Sequence, residues 1–218
     1  LKRLVFFFNF TIYLDTFSII FTSFCFLLLL NAINMADGIN SLVSIIFAIW
    51  IFFLNIFLPT NDFYFFMNII LIYSLLIFSY LNFKNKCFLG DSGCYVLVTY
   101  ISFLTVYTYN SNLIQNIKDL NIESIFLLFL VPGMDMFRLF LKRIYKGRNP
   151  FRADNNHFHH ILRKKFSAGN ILIIYSSLIF FPWLCYYLYI SLLPYLIIIV
   201  LVIYFYLLIP NKEKNEKS

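Results

Sequence analysis

The chain has 218 residues, of which 61% are hydrophobic, 22% are aromatic and only 12% are charged. Such a composition lies far outside the range of soluble globular domains and predicts a polytopic membrane protein. The formal net charge of +7 would suggest nucleic-acid binding in a soluble domain, but here the basic residues fall in short segments between apolar runs. Basic residues in such segments set membrane orientation and contact anionic headgroups, so we expect the lipid bilayer as a partner and no nucleic acid.

Seven apolar runs, most of them near the roughly 20 residues needed to cross a bilayer, predict an all-α bundle of transmembrane helices. The runs are residues 16–34, 42–58, 63–83, 95–109, 125–141, 171–190 and 192–209. A further run, residues 4–14, is too short to cross at about 1.5 Å per residue, and we interpret it as the remnant of a truncated span. We therefore predict one integral-membrane domain over residues 1–218 that lacks its N-terminal part.

Alternate threading of these runs through a bilayer places residues 35–41, 84–93, 138–168 and 211–218 on one face. The opposite face would then carry only Lys118, and Lys2 and Arg3 are assigned to neither face. The positive-inside rule predicts that the basic face is cytoplasmic, with residues 142–168 as a large cytoplasmic loop. The basic residues on this face are Lys84, Lys86, Arg138, Lys142, Arg143, Lys146, Arg148, Arg152, Arg163, Lys164, Lys165, Lys212, Lys214 and Lys217.

Polar side chains appear abruptly at the end of the first predicted span, in the sequence NAINMADGIN. Asn31, Asn34 and Asn40 recur every three or six residues with Asp37 between them, so in a helical continuation they would share one face. Polar groups at that depth are costly in lipid and usually face a polar interior, which indicates a binding site. The alternative is an ordinary helix stop, in which the Asn and Asp side chains cap the helix before Gly38.

The sequence FLGDSG at residues 88–93 places a carboxylate between two glycines at the start of a predicted span. Glycine lets the backbone approach a ligand closely, and a helix N-terminus favours phosphate. Asp91 is suited to hold Mg²⁺ while Ser92 faces the phosphates. The alternative is N-capping by Asp91 or Ser92, and the two roles are compatible.

The long polar segment Pro132–Phe166 is the third candidate. Eight Lys and Arg residues fall between residues 142 and 165, and all three His lie within four positions. This mixture suits a polyanion, because Arg and Lys bind phosphate oxygens and imidazoles pair with phosphate or shuttle a proton. The alternative is a basic loop that only fixes the orientation of the chain in the membrane.

Local spacing adds three expectations within this segment. Asp135 and Arg138 stand three residues apart at a span end, which favours a structural ion pair. The sequence GRNPF at residues 147–151 must break the helix that precedes it. A zinc site at the histidines is a further alternative, but the HxHH pattern has no matching Cys, Glu or distant His.

Taken together, the three segments resemble a known family. NAxNxxDG, FLGDSG and PxxDxxR followed by GRxPFxxDxxHxHHxL occur in this order, each at a predicted cytoplasmic span end. They resemble the polyprenyl-phosphate N-acetylhexosamine-1-phosphate transferases of the glycosyltransferase 4 superfamily, over roughly residues 31–162. The form HFHHIL preceded by PFRAD is similar to the WecA-type branch and not to the MraY branch of peptidoglycan synthesis.

The resemblance implies an enzyme of a bacterial inner (plasma) membrane whose active site faces the cytoplasm. With Mg²⁺ as cofactor, undecaprenyl phosphate would attack a UDP-N-acetylhexosamine, with UDP-GlcNAc as the default, giving a lipid-linked sugar diphosphate and UMP. The product would begin the synthesis of a lipid-linked envelope polysaccharide. The residues implied are Asp37, Asp91 and His157 as catalytic groups, Asn34 and Asp91 as metal ligands, and Asn31, Arg148, Asp154, His159 and His160 as substrate-binding groups.

Two departures from the family pattern bear on activity. Family members carry an aspartate-rich motif upstream of NAxNxxDG, and this chain contains no Asp-Asp pair. Asn40 and Ser41 also replace the more usual Asp-Gly or Asn-Gly. The first departure leads us to expect that residues 1–218 are inactive alone, and it keeps open an inactive remnant of the transferase or a structural membrane subunit.

An ion-coupled transporter is the rival from another class, since intramembrane Asp and His residues relay protons. Relay residues would be spread across the middle of the membrane. Here every candidate lies at a predicted cytoplasmic span end, which favours the enzyme.

Overall fold

The computed structural model describes residues 3–5, 11–115, 120–149 and 156–209. Within these residues seven long helices follow the seven predicted spans. One short helix lies in the polar segment between the fifth and sixth of these long helices. The helices are α1 (Ser18–Ala36), α2 (Leu42–Ile56), α3 (Phe63–Phe83), α4 (Gly90–Gln115), α5 (Ile122–Tyr145), α6 (Phe158–Arg163), α7 (Ala168–Leu188) and α8 (Leu193–Leu208). Short 3₁₀ turns at Asp15–Phe17 and Ile190–Leu192 precede α1 and α8.

By length and composition, α1, α3, α5, α7 and α8 can each cross a membrane. Helix α2 is apolar but has only 15 residues. Helix α4 has 26 residues, more than predicted, and it is not among the five because hydroxyl and amide side chains recur along it. The prediction of an all-α, polytopic membrane bundle is confirmed.

The described residues of the N-terminal run form two short strands. Residues Arg3–Val5 (β1) pair antiparallel with Thr11–Tyr13 (β2), Arg3 lying opposite Tyr13. Val, Ile, Thr and Tyr favour extended backbone, and the run is too short for a helix to gain much from packing. The prediction of a truncated helical span is therefore wrong for the described part of this run.

Helix α2 forms the centre of the bundle. It packs against α3, α4 and α7, and most of its residues are buried. A helix that is apolar on all sides is expected at the centre of a bundle, because no polar stripe must reach water. Its large side chains Phe47, Trp50 and Phe53 are fully buried.

A hydrogen bond from Trp50 satisfies a backbone carbonyl of α5 that has no partner within the helix. Pro132 lies inside this helix and has no N–H, so the carbonyl of Leu128 four residues earlier loses its helical partner. The indole Nε1–H of Trp50 donates to that carbonyl oxygen at 2.9 Å. The bond joins α2 to α5 at the point where an unpaired carbonyl would be costly in an apolar surrounding.

A second set of buried polar groups joins α2, α3 and α4. The amide Nδ2 of Asn68 donates to Oδ1 of Asn55 at 2.8 Å, and the hydroxyl of Tyr100 donates to Oδ1 of Asn68. Such bonds between helices hold them together where burial of apolar surface gives little driving force, because lipid is itself apolar.

The polar ends of the helices meet at one end of the bundle, as alternate threading predicts. The turn after α1 reaches the end of α3, where Nδ2 of Asn40 donates to Oδ1 of Asn85 at 2.6 Å. The segment between α6 and α7 reaches the end of α8, where Nζ of Lys165 donates to the carbonyl of Leu207 at 2.8 Å. The candidate site lies at this end.

The Trp50 bond gives a test with a matched control. Trp50→Phe leaves the Leu128 carbonyl buried without a partner, and we expect the free energy of unfolding to fall by about 1–3 kcal/mol from this loss alone. Trp183→Phe is the control, because Trp183 is fully buried and its Nε1 has no hydrogen-bond partner among the described residues. Thermal unfolding in detergent should show the larger decrease in Tm for Trp50→Phe, and equal decreases would contradict this role for the bond.

Candidate active site

The turn between α1 and α2 carries the first predicted motif. Helix α1 ends at Ala36, and the N–H of Asp37 donates to the carbonyl of Ile33 at 3.1 Å. Asn31 and Asn34 lie one turn apart and are exposed, as a shared helical face requires. Asn40 does not share it, because the chain leaves the helix after Ala36 and Asn40 bonds to Asn85 of the next loop. The prediction of one continuous polar face is therefore wrong beyond Asp37.

Hydrogen bonds from α3 hold this turn in place. Asn82 is buried, its Oδ1 accepts from the N–H of Ser41, and its Nδ2 donates to the carbonyl of Cys87 at 2.7 Å. The hydroxyl of Ser41 donates to the carbonyl of Ser79 at 2.7 Å. Asn82 thus connects the turn after α1 to the loop that leads into α4.

These bonds also hold Ser41 at a φ of +70°, an unusual conformation for a residue with a side chain. Sequence reasoning missed Ser79 and Asn82. The signal available was a pair of small polar residues three positions apart at the end of an apolar helix.

The first and second motifs meet at Asp37. The thiol of Cys94 in α4 donates to Oδ2 of Asp37 at 3.6 Å. Asp91 lies one turn before Cys94, in the exposed first turn of α4 as the sequence predicts. Burial raises the pKa of the Asp37 carboxyl above its usual value and the charge of Asp91 adds to this, while the Cys94 hydrogen bond opposes both. The carboxylates at the end of α1 and the start of α4 are therefore close enough for their like charges to interact.

This pair has the chemistry of a magnesium site. Mg²⁺ is usually bound by one or two carboxylates and completed by substrate phosphates and water. Burial is the main cause of the raised pKa of Asp37, and the charge of Asp91 adds a smaller contribution that a bound cation would offset. In the part of the chain that the structure describes, no three His, Cys, Asp or Glu residues are grouped as a metal site, and Asn34 is exposed near the end of α1.

The third motif reaches the first through His159. A Cβ atom added to Gly38 would lie 2.0 Å from Nε2 of His159, so the imidazole packs directly on the glycine. His159 is buried, and its Nε2 has no hydrogen-bond partner within the described ranges. Burial, together with the smaller effect of positive charge on His160 and His157, lowers its pKa to about 4. His159 is therefore neutral at physiological pH.

His157 is held by Asp135. The predicted ion pair between Asp135 and Arg138 is confirmed, with Nη2 of Arg138 at 2.7 Å from Oδ1 of Asp135. The same carboxylate lies 3.3 Å from Nδ1 of His157 and accepts from the N–H of Phe158 at 3.0 Å. The rings of His157 and His159 are parallel, with centroids 5.8 Å apart. Asp135 thus fixes the start of α6 as well as pairing with Arg138.

The remaining predicted residues lie at the edge of this region or outside it. Helix α5 ends at Tyr145, and Gly147 follows with a φ of +61°, so the helix breaks as GRNPF predicts. Arg148 is exposed just beyond this end. The ring of His160 lies 4.2 Å from that of His159 between centroids. Asp154 lies outside the described residues.

The neutrality of His159 gives a prediction on acid stability. Its folded pKa of about 4 lies below the unfolded value of about 6.5, so the unfolded chain takes up a proton that the folded chain does not. Stability should therefore fall as the pH is lowered through this window, by on the order of 3 kcal/mol from this group. We expect a smaller decrease in Tm between pH 7.5 and pH 5 for His159→Gln than for the unsubstituted protein. His160→Gln is the control, and an unchanged slope in His159→Gln would contradict the assignment.

The contact between Gly38 and His159 gives a second prediction. Gly38→Ala should displace the imidazole, because the added methyl group would overlap Nε2. We expect a lower Tm, and little further loss when Gly38→Ala is combined with His159→Ala, which removes the ring. Gly169→Ala is the matched control, since nothing lies within 4 Å of its added Cβ. Additive losses in the double variant would show that the two residues do not act through one contact.

Comparison with known proteins agrees with this geometry. The family described as "Glycosyl transferase family 4" matches this chain over residues 1–109, which is half of its length. A relative from Yersinia pestis, named undecaprenyl-phosphate alpha-N-acetylglucosaminyl 1-phosphate transferase, is 27% identical over 169 residues, covering 74% of this chain and 45% of the relative.

Two further relatives carry the same name. The one from Thermotoga maritima is 28% identical over 150 residues, which cover 68% of this chain and 44% of the relative. The one from Escherichia coli K12 is 25% identical over 181 residues, which cover 74% of this chain and 45% of the relative. The chain thus spans less than half of the length of the curated relatives that it matches. From the family match and the meeting of the three motifs, we conclude that the chain belongs to glycosyl transferase family 4.

Proposed function

We propose that the protein transfers an N-acetylhexosamine-1-phosphate, with GlcNAc-1-phosphate as the first choice, from a UDP-sugar to undecaprenyl phosphate. The observation that carries this proposal is the meeting of three separate motifs at the turn after α1. Asp37 contacts Cys94 of α4, and Gly38 contacts His159 of α6. The relatives named above share the activity in their printed name, which supports the proposal.

The acidic side of the site is suited to a magnesium-bound diphosphate. Asp91 is exposed at the N-terminus of α4, where backbone N–H groups also favour phosphate. Asp91 and Asn34 would hold the ion, and Asp37 would face the nucleotide or the reacting phosphate. Mg²⁺ would neutralise phosphate charge, which the reaction needs because donor and acceptor are both anions. The raised pKa of Asp37 favours binding of a cation in exchange for a proton.

The histidine side of the site is suited to the donor. His157, His159 and His160 form one cluster, and Arg148 lies at the exposed end of α5. A neutral His159 donates one hydrogen bond and accepts another, so it can recognise a polar group without adding charge. We assign Arg148, Asp154, His159 and His160 to substrate binding, with Asn31 at the entrance formed by α1. The basic loop would lie at the cytoplasmic face of a bacterial inner membrane.

The experiment is a transfer assay in membranes with labelled UDP-GlcNAc, undecaprenyl phosphate and Mg²⁺. Because the relatives are more than twice as long as the matched region, residues 1–218 are assayed alone and joined behind the N-terminal part of the Thermotoga maritima relative. We expect transfer and UMP release from the joined protein and none from residues 1–218 alone. A joined protein that inserts but neither transfers nor binds UDP-GlcNAc would contradict the proposed function.

Replacement of Asp91 tests the acidic side of the site. Asp91→Asn removes a charged oxygen ligand at an exposed position, so we expect transfer below about a tenth of the unsubstituted rate at saturating Mg²⁺, with normal membrane insertion. Asp15→Asn is the matched control, since it makes the same change of charge at an exposed residue near the other end of α1. Retention of most activity in Asp91→Asn would remove Asp91 from the metal site.

A further inference from the structure

The buried carboxylate of Asp135 joins three helices at the edge of the histidine cluster. Within α5 it accepts from Nη2 of Arg138 at 2.7 Å. At the start of α6 both of its oxygens accept from the N–H of Phe158 at 3.0 Å, and Oδ2 lies 3.3 Å from Nδ1 of His157. From α8 the hydroxyl of Tyr204 donates to Oδ1 at 3.0 Å. Asp135 is only 6% exposed, so these contacts are sheltered from water.

The contact with His157 determines which nitrogen carries the proton. An ionised carboxylate only accepts hydrogen bonds, so Nδ1 of His157 must donate. In the neutral ring the other nitrogen, Nε2, then carries the lone pair. Nδ1 of His157 is the ring nitrogen that contacts Asp135. The atom left for a ligand is therefore Nε2.

Tyr204 keeps the carboxylate in this orientation. Its hydroxyl accepts from Nε of Arg138 at 3.0 Å while it donates to Asp135, so both side chains of the ion pair are held from α8. Its ring packs on that of Phe158, with centroids 4.7 Å apart. Tyr204 is 1% exposed. Its hydroxyl group therefore lies within a fully packed contact between α5, α6 and α8.

We propose that Asp135 and Tyr204 are positioning residues that hold His157 with its proton on Nδ1, so that the lone pair of Nε2 accepts a hydrogen bond from a protonated phosphate oxygen (P–OH) of the substrate. The inference rests on the proposed function for the identity of that ligand. It gives the last helix of the chain a part in the site, beyond its packing in the membrane. If Asp135 were only a structural partner of Arg138, the tautomer of His157 would not depend on it.

A spectroscopic test reports on the tautomer without any assay of activity. The chain has three histidines, and all lie in this cluster, so a protein labelled with ¹⁵N only at histidine gives a simple spectrum. His157→Gln identifies the signals of His157 by their loss. At alkaline pH, where the ring is neutral, we expect the Nδ1–H form in the unsubstituted protein and a shift toward the Nε2–H form in Asp135→Asn. The Nε2–H form in the unsubstituted protein, or no change in Asp135→Asn, would overturn the proposal.

Tyr204→Phe is a second variant that tests the tautomer of His157 if Asp135→Asn does not fold. It removes one hydroxyl group and retains the ring that packs on Phe158. We expect a mixture of both tautomers of His157. Tyr206→Phe is the matched control on the same helix, because Tyr206 is 71% exposed, and it should leave the spectrum unchanged. A fully retained Nδ1–H form in Tyr204→Phe would remove Tyr204 from the positioning role.

A kinetic cycle on the active joined protein separates positioning from direct binding. We expect kcat to fall about 100-fold or more in both Asp135→Asn and His157→Gln, with KM for the UDP-sugar within about threefold. The double variant should be no slower than His157→Gln alone, because residues that act as a unit are not additive. Multiplicative losses would show that Asp135 acts independently of His157. Absence of transfer by the unsubstituted joined protein would count against the proposed function, and the spectroscopic test would still decide the inference.

Discussion

The structure depends on one constraint of the apolar environment, which is that a polar group inside it must find a partner within the protein. The carbonyl left unpaired by Pro132 receives the indole of Trp50, and the amides of Asn55 and Asn68 pair with each other. The carboxylate and imidazole side chains of the three motifs lie together at one end of the bundle. The same constraint that stabilises the helices therefore gathers the reactive groups in one place.

Charge is distributed unevenly within that end. The carboxylates of Asp37 and Asp91 lie on one side, and the histidines with the basic end of α5 lie on the other. The turn after α1 is the element common to both, because Asp37 faces α4 while Gly38 faces α6. A molecule with a cation-bound diphosphate and a polar sugar nucleotide could occupy both sides at once. The proposed reaction between two anions would use this division, since repulsion must be offset before the reactants can approach.

Much of this arrangement could be predicted from the sequence, because long apolar runs and abrupt polar stretches are strong signals in a membrane protein. The seven long helices, the pair Asp135–Arg138 and the helix break near Gly147 were predictable from residue spacing alone. The hydrogen bond between Asn82 and Ser41 and the one between Tyr204 and Asp135 could not be predicted, since each joins residues at least 41 positions apart. The position of Asn40 was mispredicted because helical periodicity was extended past the residue at which α1 ends. The short strands near the N-terminus were missed because apolar runs were assumed to be helical.

The length of α2 has a consequence for the surrounding bilayer. Its 15 residues extend over about 22 Å, whereas the hydrocarbon core is about 30 Å thick. At least one of the two turns that flank it must therefore lie below the level of the lipid headgroups. Because α2 packs against α3, α4 and α7, these helices lie between such a turn and the acyl chains. If that turn is the one that contains Asp37, the phosphate of a membrane-embedded lipid could reach it without leaving the bilayer. A turn that stood above the headgroups would require the phosphate to move out into water.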